Sequence, residues 1–443
     1  MRPTLALAAF ASCAALTACP PVDDKPGQPP PPDNPAACAA PTSGPTPHDN
    51  EQYGTEVWTA AASPHVLPDG INIHGHVTLE PCAIVQVGPG QLIDLGAGAT
   101  LTGEGAADHP IRIGAQPAGK AWGALRTSGG FVRLAHTAIS DAGEPSVNTP
   151  AAVIAMRGSD SLPREALSFD HVTITGSHGN GIHLPATRFT ADSSWVVITG
   201  SAGYPIRATP SSLGSLPTGV YTGNGHDEIV VTGDQGSGTD VEEDMAVHNL
   251  GVPYHVGDKG SSATIRVGTA APTSLVTLTI EPGVTLRFEK DGTLRMMGYA
   301  GPDVASGALV AVGRPDAPIV FTSAADAPAP GDWIGVEFRS RPAPIDVMTF
   351  VRIEYAGAET GTRGSSCPLY QSAAAALIIV GGPPVTSFLT NSEIVASGGD
   401  GVYRGWVNDE IDFIPTNGFD VARCRETVPL IRQGVCPNTT ACP

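Results

Sequence analysis

The fold of this chain is decided by residues 77–87, VTLEPCAIVQV, which recur as residues 278–288, LTIEPGVTLRF. Four more segments recur in the same order, and the offset between the copies grows slowly along the chain. They are 109–113 with 317–321, 122–123 with 333–335, 139–143 with 353–357, and 179–182 with 399–402. Recurrence in a fixed order predicts a duplicated module into which loops have been inserted.

A shorter repeat lies within the first module. Residues 174–182, ITGSHGNGI, return as residues 198–206, ITGSAGYPI. Self-similarity at twenty-odd residues is typical of solenoids, in which each repeat covers the apolar face of its neighbour. Runs such as residues 84–87 and 351–353 alternate apolar with polar side chains and are rich in β-branched residues, which predicts short strands. Three short strands per repeat correspond to one coil of a β-helix.

The segments LTIEPGVTLRF, APIVFTS and GDWIGVEF, at residues 278–288, 317–323 and 331–338, resemble those of bacterial right-handed parallel β-helix repeat proteins, many of them lipoproteins. The resemblance covers most of residues 55–403 and implies an architecture but no activity, because this fold carries lyases, hydrolases, adhesins and scaffolds alike. Cys82 stands where the second copy has Gly283, which fits a disulfide added to the first module. The tail beyond Trp406 leaves the pattern and is expected to cap the solenoid.

The N-terminus predicts export and lipid attachment. Met1-Arg2, a short apolar run from Leu5 to Leu16, and Leu16-Thr17-Ala18-Cys19 resemble a lipoprotein signal peptide spanning residues 1–18. Acylation, for example with palmitate, is expected on Cys19. Pro20 follows the cysteine instead of the aspartate associated with inner-membrane retention, which favours the outer membrane and leaves periplasmic and surface orientations open. Residues 19–54 are proline-rich and predict a disordered tether.

Composition narrows the classes of partner. The formal net charge is −19, with 53 glycines, 42 prolines and 5% aromatic residues. Abundant glycine and proline are typical of short strands joined by tight turns. A strongly acidic chain argues against nucleic acid as partner. We expect the lipid on Cys19 to provide the membrane contact and a glycan or surface protein to be the ligand. We expect the protein to be a monomer and to need no cofactor.

Six cysteines remain after the signal peptide and the lipidated Cys19 are set aside. An even number in an oxidising compartment predicts three disulfides. The simplest pairing joins Cys38 to Cys82 and leaves three possible pairings among the other four. These cysteines are Cys38, Cys82, Cys367, Cys424, Cys436 and Cys442.

Catalytic candidates are weak. A glycoside hydrolase needs paired carboxylates, and a lyase on this fold needs a basic residue beside acidic ligands. The candidates, placed near strand ends by the repeats, are Asp141, Asp170, Glu354 and Asp400. Asp170 and Asp400 also border turn sequences, in which aspartate is favoured for its backbone conformation.

Metal and sugar sites have equally weak candidates. An acidic segment between the modules could wrap calcium through Asp234, Asp240, Glu242 and Asp244, although a solvated loop is the simpler interpretation. His74 and His76 would share one face if both lie on one strand, but no third ligand is evident and no metal is expected.

Aromatic side chains could stack on sugar rings or close the core. They are Trp195, Tyr204, Tyr254, Tyr403 and Trp406.

The sequence therefore predicts an all-β protein, a right-handed parallel β-helix solenoid of two duplicated modules, residues 55–220 and 221–443, with a disulfide-bonded C-terminal cap. The predicted function is a lipid-anchored, non-catalytic envelope scaffold or adhesin-like module that binds glycan or protein. A carbohydrate-active enzyme, either lyase or hydrolase, is the first alternative, and an envelope spacer without ligand is the second.

Overall fold

The computed structural model of this chain describes residues 38–145, 151–156, 165–233, 240–269, 274–298, 304–360, 373–406 and 411–427. Within these residues short strands follow one another along almost the whole chain, and the two helical segments are the 3-10 turns Ala60–Ala62 and Pro210–Ser215. The strands are β1 Thr46–Pro47, β2 Glu51–Gln52, β3 Thr55–Trp58, β4 His65–Leu67, β5 Ile71–Ile73, β6 His76–Leu79, β7 Ile84–Val87, β8 Ile93–Leu95, β9 Thr100–Glu104, β10 Ile111–Ala115, β11 Leu125–Thr127, β12 Phe131–Ser140, β13 Ala152–Met156, β14 Glu165–Thr175, β15 Asn180–Leu184, β16 Arg188–Phe189, β17 Ser194–Thr199, β18 Ile206–Ala208, β19 Gly219–Val220, β20 Ile229–Val231, β21 Met245–Val247, β22 Tyr254–Val256, β23 Thr264–Val267, β24 Val276–Ile280, β25 Thr285–Phe288, β26 Thr293–Met296, β27 Gly307–Val312, β28 Ile319–Ser323, β29 Gly335–Phe338, β30 Val347–Thr349, β31 Val351–Glu354, β32 Ala375–Ile379, β33 Leu389–Thr390, β34 Glu393–Ser397, β35 Asp400–Arg404 and β36 Gly418–Val421.

Parallel pairing of strands from successive coils gives a solenoid. A 14-stranded sheet runs from β2 to β36, and its neighbours are two or three strands apart in the chain, so the chain returns to this sheet once in every coil. The pairs within it are parallel, as between β5 and β8 and between β28 and β31. The predicted parallel β-helix is confirmed.

The other sheets change between the two halves of the chain. A 12-stranded sheet begins at β1 and ends at β19, Gly219–Val220, where the first predicted module ends. Two five-stranded sheets follow, starting at β21 and β23, while the 14-stranded sheet continues without a break. One sheet crosses the change, and the described residues between 38 and 427 belong to a single compact unit.

Alternating burial explains why these short segments form strands. In β5, Ile71 and Ile73 are buried and Asn72 between them is exposed. The inward side chains of all coils join one apolar cluster that extends from Trp58 to Phe413. Burying one aliphatic side chain of this size stabilises a protein by about 1.5–3 kcal/mol, so each coil is stabilised mainly by covering the next.

The duplication extends to individual hydrogen bonds. The indole nitrogen of Trp122 donates to the carbonyl oxygen of Ser140 over 2.8 Å, and that of Trp333 donates to the carbonyl oxygen of Glu354 over 2.7 Å. Cys82 has a φ of 69°, and Gly283 at the equivalent position has a φ of 82°. Both modules therefore make the same turn here, and the first module makes it with a residue that carries a side chain.

The start of the solenoid lies earlier than the sequence suggested. Strands β1 and β2 pair with β4 and β5, so the prediction of a disordered tether up to residue 54 is wrong for residues 46–54. Proline is tolerated here because β1 is the edge strand of its sheet, where a missing N–H breaks no ladder. Cys38 is bonded to Cys82, which confirms the predicted disulfide. Cys19 and the signal peptide lie outside the described residues.

The C-terminal segment closes the other end, as expected of a cap. Strand β36 pairs with β34, and Glu426 forms a bridge with Val402 of β35. Cys424 is disulfide-bonded, while Cys367, Cys436 and Cys442 lie outside the described residues. Within the part of the chain that the structure describes, no helix has the length and apolar character needed to cross a membrane.

Candidate functional site

An open depression of about 300 Å³ lies on the outer face of the 12-stranded sheet. Its floor follows one column of the sheet, in which Glu104, Ala135, Asp170 and Ser194 are paired across four successive coils. Such columns arise because the parallel register places outward side chains of neighbouring coils one above another. Arg133, Leu134, Ser168 and Asp192 complete the lining.

Arg133 organises one side of the depression. Its Nε donates to Glu104 over 2.8 Å, and one Nη donates to Asp192 over 3.1 Å and to the Ser168 hydroxyl over 3.2 Å. Hydrogen bonds from Thr190 and then Arg133 lower the pKa of Asp192. The site thus presents a guanidinium between two carboxylates, an arrangement that offers donors and acceptors side by side.

Three residues with aromatic side chains, two histidines and a tryptophan, form a corner beside the depression. His136, His171 and Trp195 have φ values of 42°, 53° and 51°, so strands β12 and β14 bend sharply at the histidines and β17 bends at Trp195. The imidazole rings of His136 and His171 stack with centroids 4.7 Å apart, and the Trp195 ring centroid lies 6.4 Å from that of His171. These bends turn the rings outward beside Asp170.

Asp170 joins the depression to this corner. Its Oδ1 accepts a hydrogen bond from the Ser194 hydroxyl over 2.7 Å and lies 2.8 Å from Nδ1 of His171. Burial raises the pKa of Asp170, but these hydrogen bonds and the nearby histidines outweigh it and leave the pKa lowered. Asp170 lies within β14 directly before the bend at His171, and its side chain lines the depression, so it does more than border a turn.

The other catalytic candidates lie apart from this site. Asp141 has a φ of 57° and its Oδ2 accepts from the Ser140 hydroxyl over 3.0 Å, which suits a turn position. Glu354 accepts from Thr322 over 2.9 Å and is paired with Arg352. Asp400 is fully buried, accepts from the Cys424 amide, and has its pKa raised to about 6 by burial. The four candidates therefore form no common centre.

The carboxylates of the acidic inter-module segment point to separate partners. Asp240 pairs with Arg266 over 2.8 Å, and Asp244 accepts from the Thr277 amide over 2.7 Å. Asp234 lies outside the described residues, and Glu242 makes contacts of its own. Because these carboxylates are directed to separate partners, the calcium candidates, for which a solvated loop was the simpler interpretation, gain no support from this geometry.

His74 and His76 do not form a pair. Strand β5 ends at Ile73 and β6 begins at His76, so the two residues flank a corner instead of sharing one strand. His74 Nε2 lies 2.8 Å from a Glu51 oxygen, and His76 Nδ1 lies 2.9 Å from the Thr100 hydroxyl.

Only one of the five candidate aromatic residues is partly exposed. Tyr204, Tyr254, Tyr403 and Trp406 are all buried, which fits a role in closing the core, whereas Trp195 keeps part of its surface open. The sequence did not point to Glu104, Arg133, His136, His171 or Asp192. Extending the repeat of residues 174–182 upstream would have aligned Asp170 with Ser194 and His171 with Trp195.

A second charged cluster lies on the outer face of the 14-stranded sheet. His255 is nearly buried, with Nδ1 2.8 Å from Glu228 and Nε2 3.0 Å from Glu289. Arg287 is also paired with Glu228. Because these groups satisfy one another and link three successive coils, we assign this cluster to stability.

Neither a family model, nor a curated protein, nor a solved structure matches this chain.

Proposed function

We propose that this protein is a lipid-anchored envelope scaffold, attached to the outer membrane through Cys19, whose solenoid binds a glycan in the depression beside Trp195. The proposal rests on the N-terminal sequence for the anchor and on this depression for the ligand. Because Cys38 precedes the first coil and is bonded to Cys82, which follows the second, a chain anchored at Cys19 would enter the solenoid at that end.

The partly exposed Trp195 next to an ion-paired polar floor is the observation that carries the proposal. Sugar rings offer an apolar face that stacks on an aromatic ring, and hydroxyl groups that need both donors and acceptors. Trp195, which follows the lining residue Ser194, supplies the first, and Arg133, Asp192 and Ser168 of the depression supply the second. The parallel coils also hold these groups in fixed register, which limits the entropy lost on binding.

The pKa values of the carboxyl groups favour binding over catalysis. A glycosidase needs a general acid whose pKa is raised, so that it holds its proton at working pH. The pKa values of Asp170 and Asp192 are instead lowered, and Asp400, whose pKa is raised, is fully buried. We therefore retain a carbohydrate-active enzyme only as the alternative that the experiment tests.

A panel of polysaccharides and glycans presented to the full chain, with binding and turnover scored together, tests the ligand. Trp195→Ala is expected to weaken binding about tenfold or more, since losing one stacking contact costs on the order of 1.4 kcal/mol. Tyr53→Ala is the matched control, because Tyr53 is 69% exposed and lies in the first coil. Turnover of any polysaccharide that is lost in Asp170→Asn, or equal binding by Trp195→Ala, would contradict the proposal.

The anchor is tested separately. Cys19→Ala is expected to abolish incorporation of labelled palmitate and to move the protein from the membrane fraction to the soluble fraction. A Cys13→Ala variant controls for loss of a cysteine from the same region. Unchanged labelling of Cys19→Ala would refute lipidation at this residue.

A further inference from the structure

Two histidines and an aspartate converge at the corner of β12 and β14. His136, Asp170 and His171 each offer a ligand atom, and these three atoms lie within 4.8 Å of one another. The two imidazole rings are nearly parallel, with an interplanar angle of 19°. Within the described residues, no other group of three or more histidine, cysteine or acidic side chains comes together in this way.

The second module provides an internal comparison for this corner. Ile139 pairs with Ile174 in the first module, and their counterparts Ile353 and Ile394 pair in the second. This register makes Phe350, Thr390 and Asn391 the counterparts of His136, Asp170 and His171.

The backbone of this corner is the same in both modules. Phe350 and Asn391 have φ values of 50° and 49°, against 42° for His136 and 53° for His171. Phenylalanine and asparagine therefore make the same bend as the two histidines. Because the bend does not require histidine, the ligating side chains are an additional property of the first module.

We infer that His136, Asp170 and His171 bind one divalent transition-metal ion of the class that prefers imidazole and carboxylate ligands, such as Zn²⁺. Zinc–nitrogen bonds of about 2.1 Å at tetrahedral angles separate two ligand atoms by roughly 3.4 Å, so the most distant of the present atoms need to approach by no more than about 1.5 Å. The hydrogen bond of 2.8 Å between His171 Nδ1 and Asp170 Oδ1 would give way to bonds with the ion.

The surroundings of Asp170 support this assignment. The Ser194 hydroxyl donates to Oδ1 over 2.7 Å, as the outer-shell partners of metal-binding carboxylates do. Three protein ligands at an accessible corner leave a coordination position for water or for an oxygen of a bound molecule. The inference does not depend on glycan binding, because all three ligands belong to the chain.

Titration of the full, untagged chain with ZnCl₂ by calorimetry, and with CoCl₂ by visible absorption, tests the site. We expect one ion per chain and a cobalt d–d spectrum. His136→Phe and His171→Asn copy the second module and so preserve the bend, and each is expected to abolish the spectrum. Ser194→Ala is expected to weaken zinc binding by about tenfold or more.

His109→Ala is the matched control, because His109 is also exposed beside a carboxylate, with Asp108 at 2.8 Å, but belongs to no cluster of three ligands. It should bind zinc like the unchanged chain. Equal zinc affinity in His136→Phe, His171→Asn and the unchanged chain would overturn the inference, as would loss of binding in His109→Ala. Trp195→Ala should retain zinc binding, so failure of the glycan proposal and failure of the metal site are distinguishable.

Discussion

His255 lies between two carboxylates, with its Nδ1 2.8 Å from Glu228, in a pocket that leaves only 7% of the imidazole exposed. Burial lowers the pKa of His255, but hydrogen bonds to Glu228 and Glu289 outweigh it and leave the pKa raised above 6.5. The imidazolium therefore connects three adjacent coils of the sheet that runs through the whole solenoid.

This relationship predicts a pH-dependent stability. Because the folded-state pKa of His255 is raised above its unfolded value of 6.5, its contribution is complete below pH 6.5 and is lost as pH rises through the folded-state pKa. His255→Gln is expected to lower the free energy of unfolding by about 3 kcal/mol at pH 5.5, and by less at pH 8.5. Denaturation at both pH values measures this, and His109→Gln is the exposed control. An equal loss at both pH values would contradict the assignment.

The disulfide between Cys38 and Cys82 gives a second prediction. It closes a loop with a sequence separation of 44, and chain entropy then predicts that Cys82→Ser lowers the free energy of unfolding by about 4 kcal/mol. Cys82→Gly removes the same bond but restores the glycine of the second module at a φ of 69°. It should therefore be more stable than Cys82→Ser by about 1 kcal/mol. Equal denaturation midpoints for the two variants would show that the left-handed backbone at Cys82 costs nothing.

Asp400 gives a third prediction. Burial raises the pKa of Asp400 to about 6. The protein therefore loses stability as pH rises from 3.8 to about 6, and this stability does not return at higher pH. Asp400→Asn keeps an acceptor for the Cys424 amide and carries no charge. We expect it to stabilise the protein by about 3 kcal/mol at pH 8 and by little at pH 4. Asp316→Asn, at an 81% exposed side chain, is the control. A destabilised Asp400→Asn at pH 8 would show that the charge itself is needed.

The sequence was informative wherever the signal is local. Alternation at positions 84–87 and 351–353 depends only on which side chains face the core, so it predicted the strands directly. The recurrence of residues 77–87 likewise predicted the coils, since equal coils need equal turns at Cys82 and Gly283. The predicted tether is too long because proline content alone does not reveal that β1 is an edge strand, where proline breaks no ladder.

The candidate site was missed because its contacts depend on register between coils. Arg133 reaches Glu104 in the preceding coil and Asp192 two coils later, and loops of unequal length separate these residues in the chain. The sequence indicates Asp170 as a candidate, but its spacing does not show that it lies beside His136 and His171.

The amino-acid sequence by itself determined that this chain winds into a solenoid and favoured a disulfide between Cys38 and Cys82, because strand alternation, repeat order and the number of cysteines can be read from the linear sequence. Only the tertiary structure decided which outward side chains meet at the corner of His136 and Asp170 and in the depression beside Trp195. Parallel stacking sets those contacts through register, and register depends on every loop between one coil and the next.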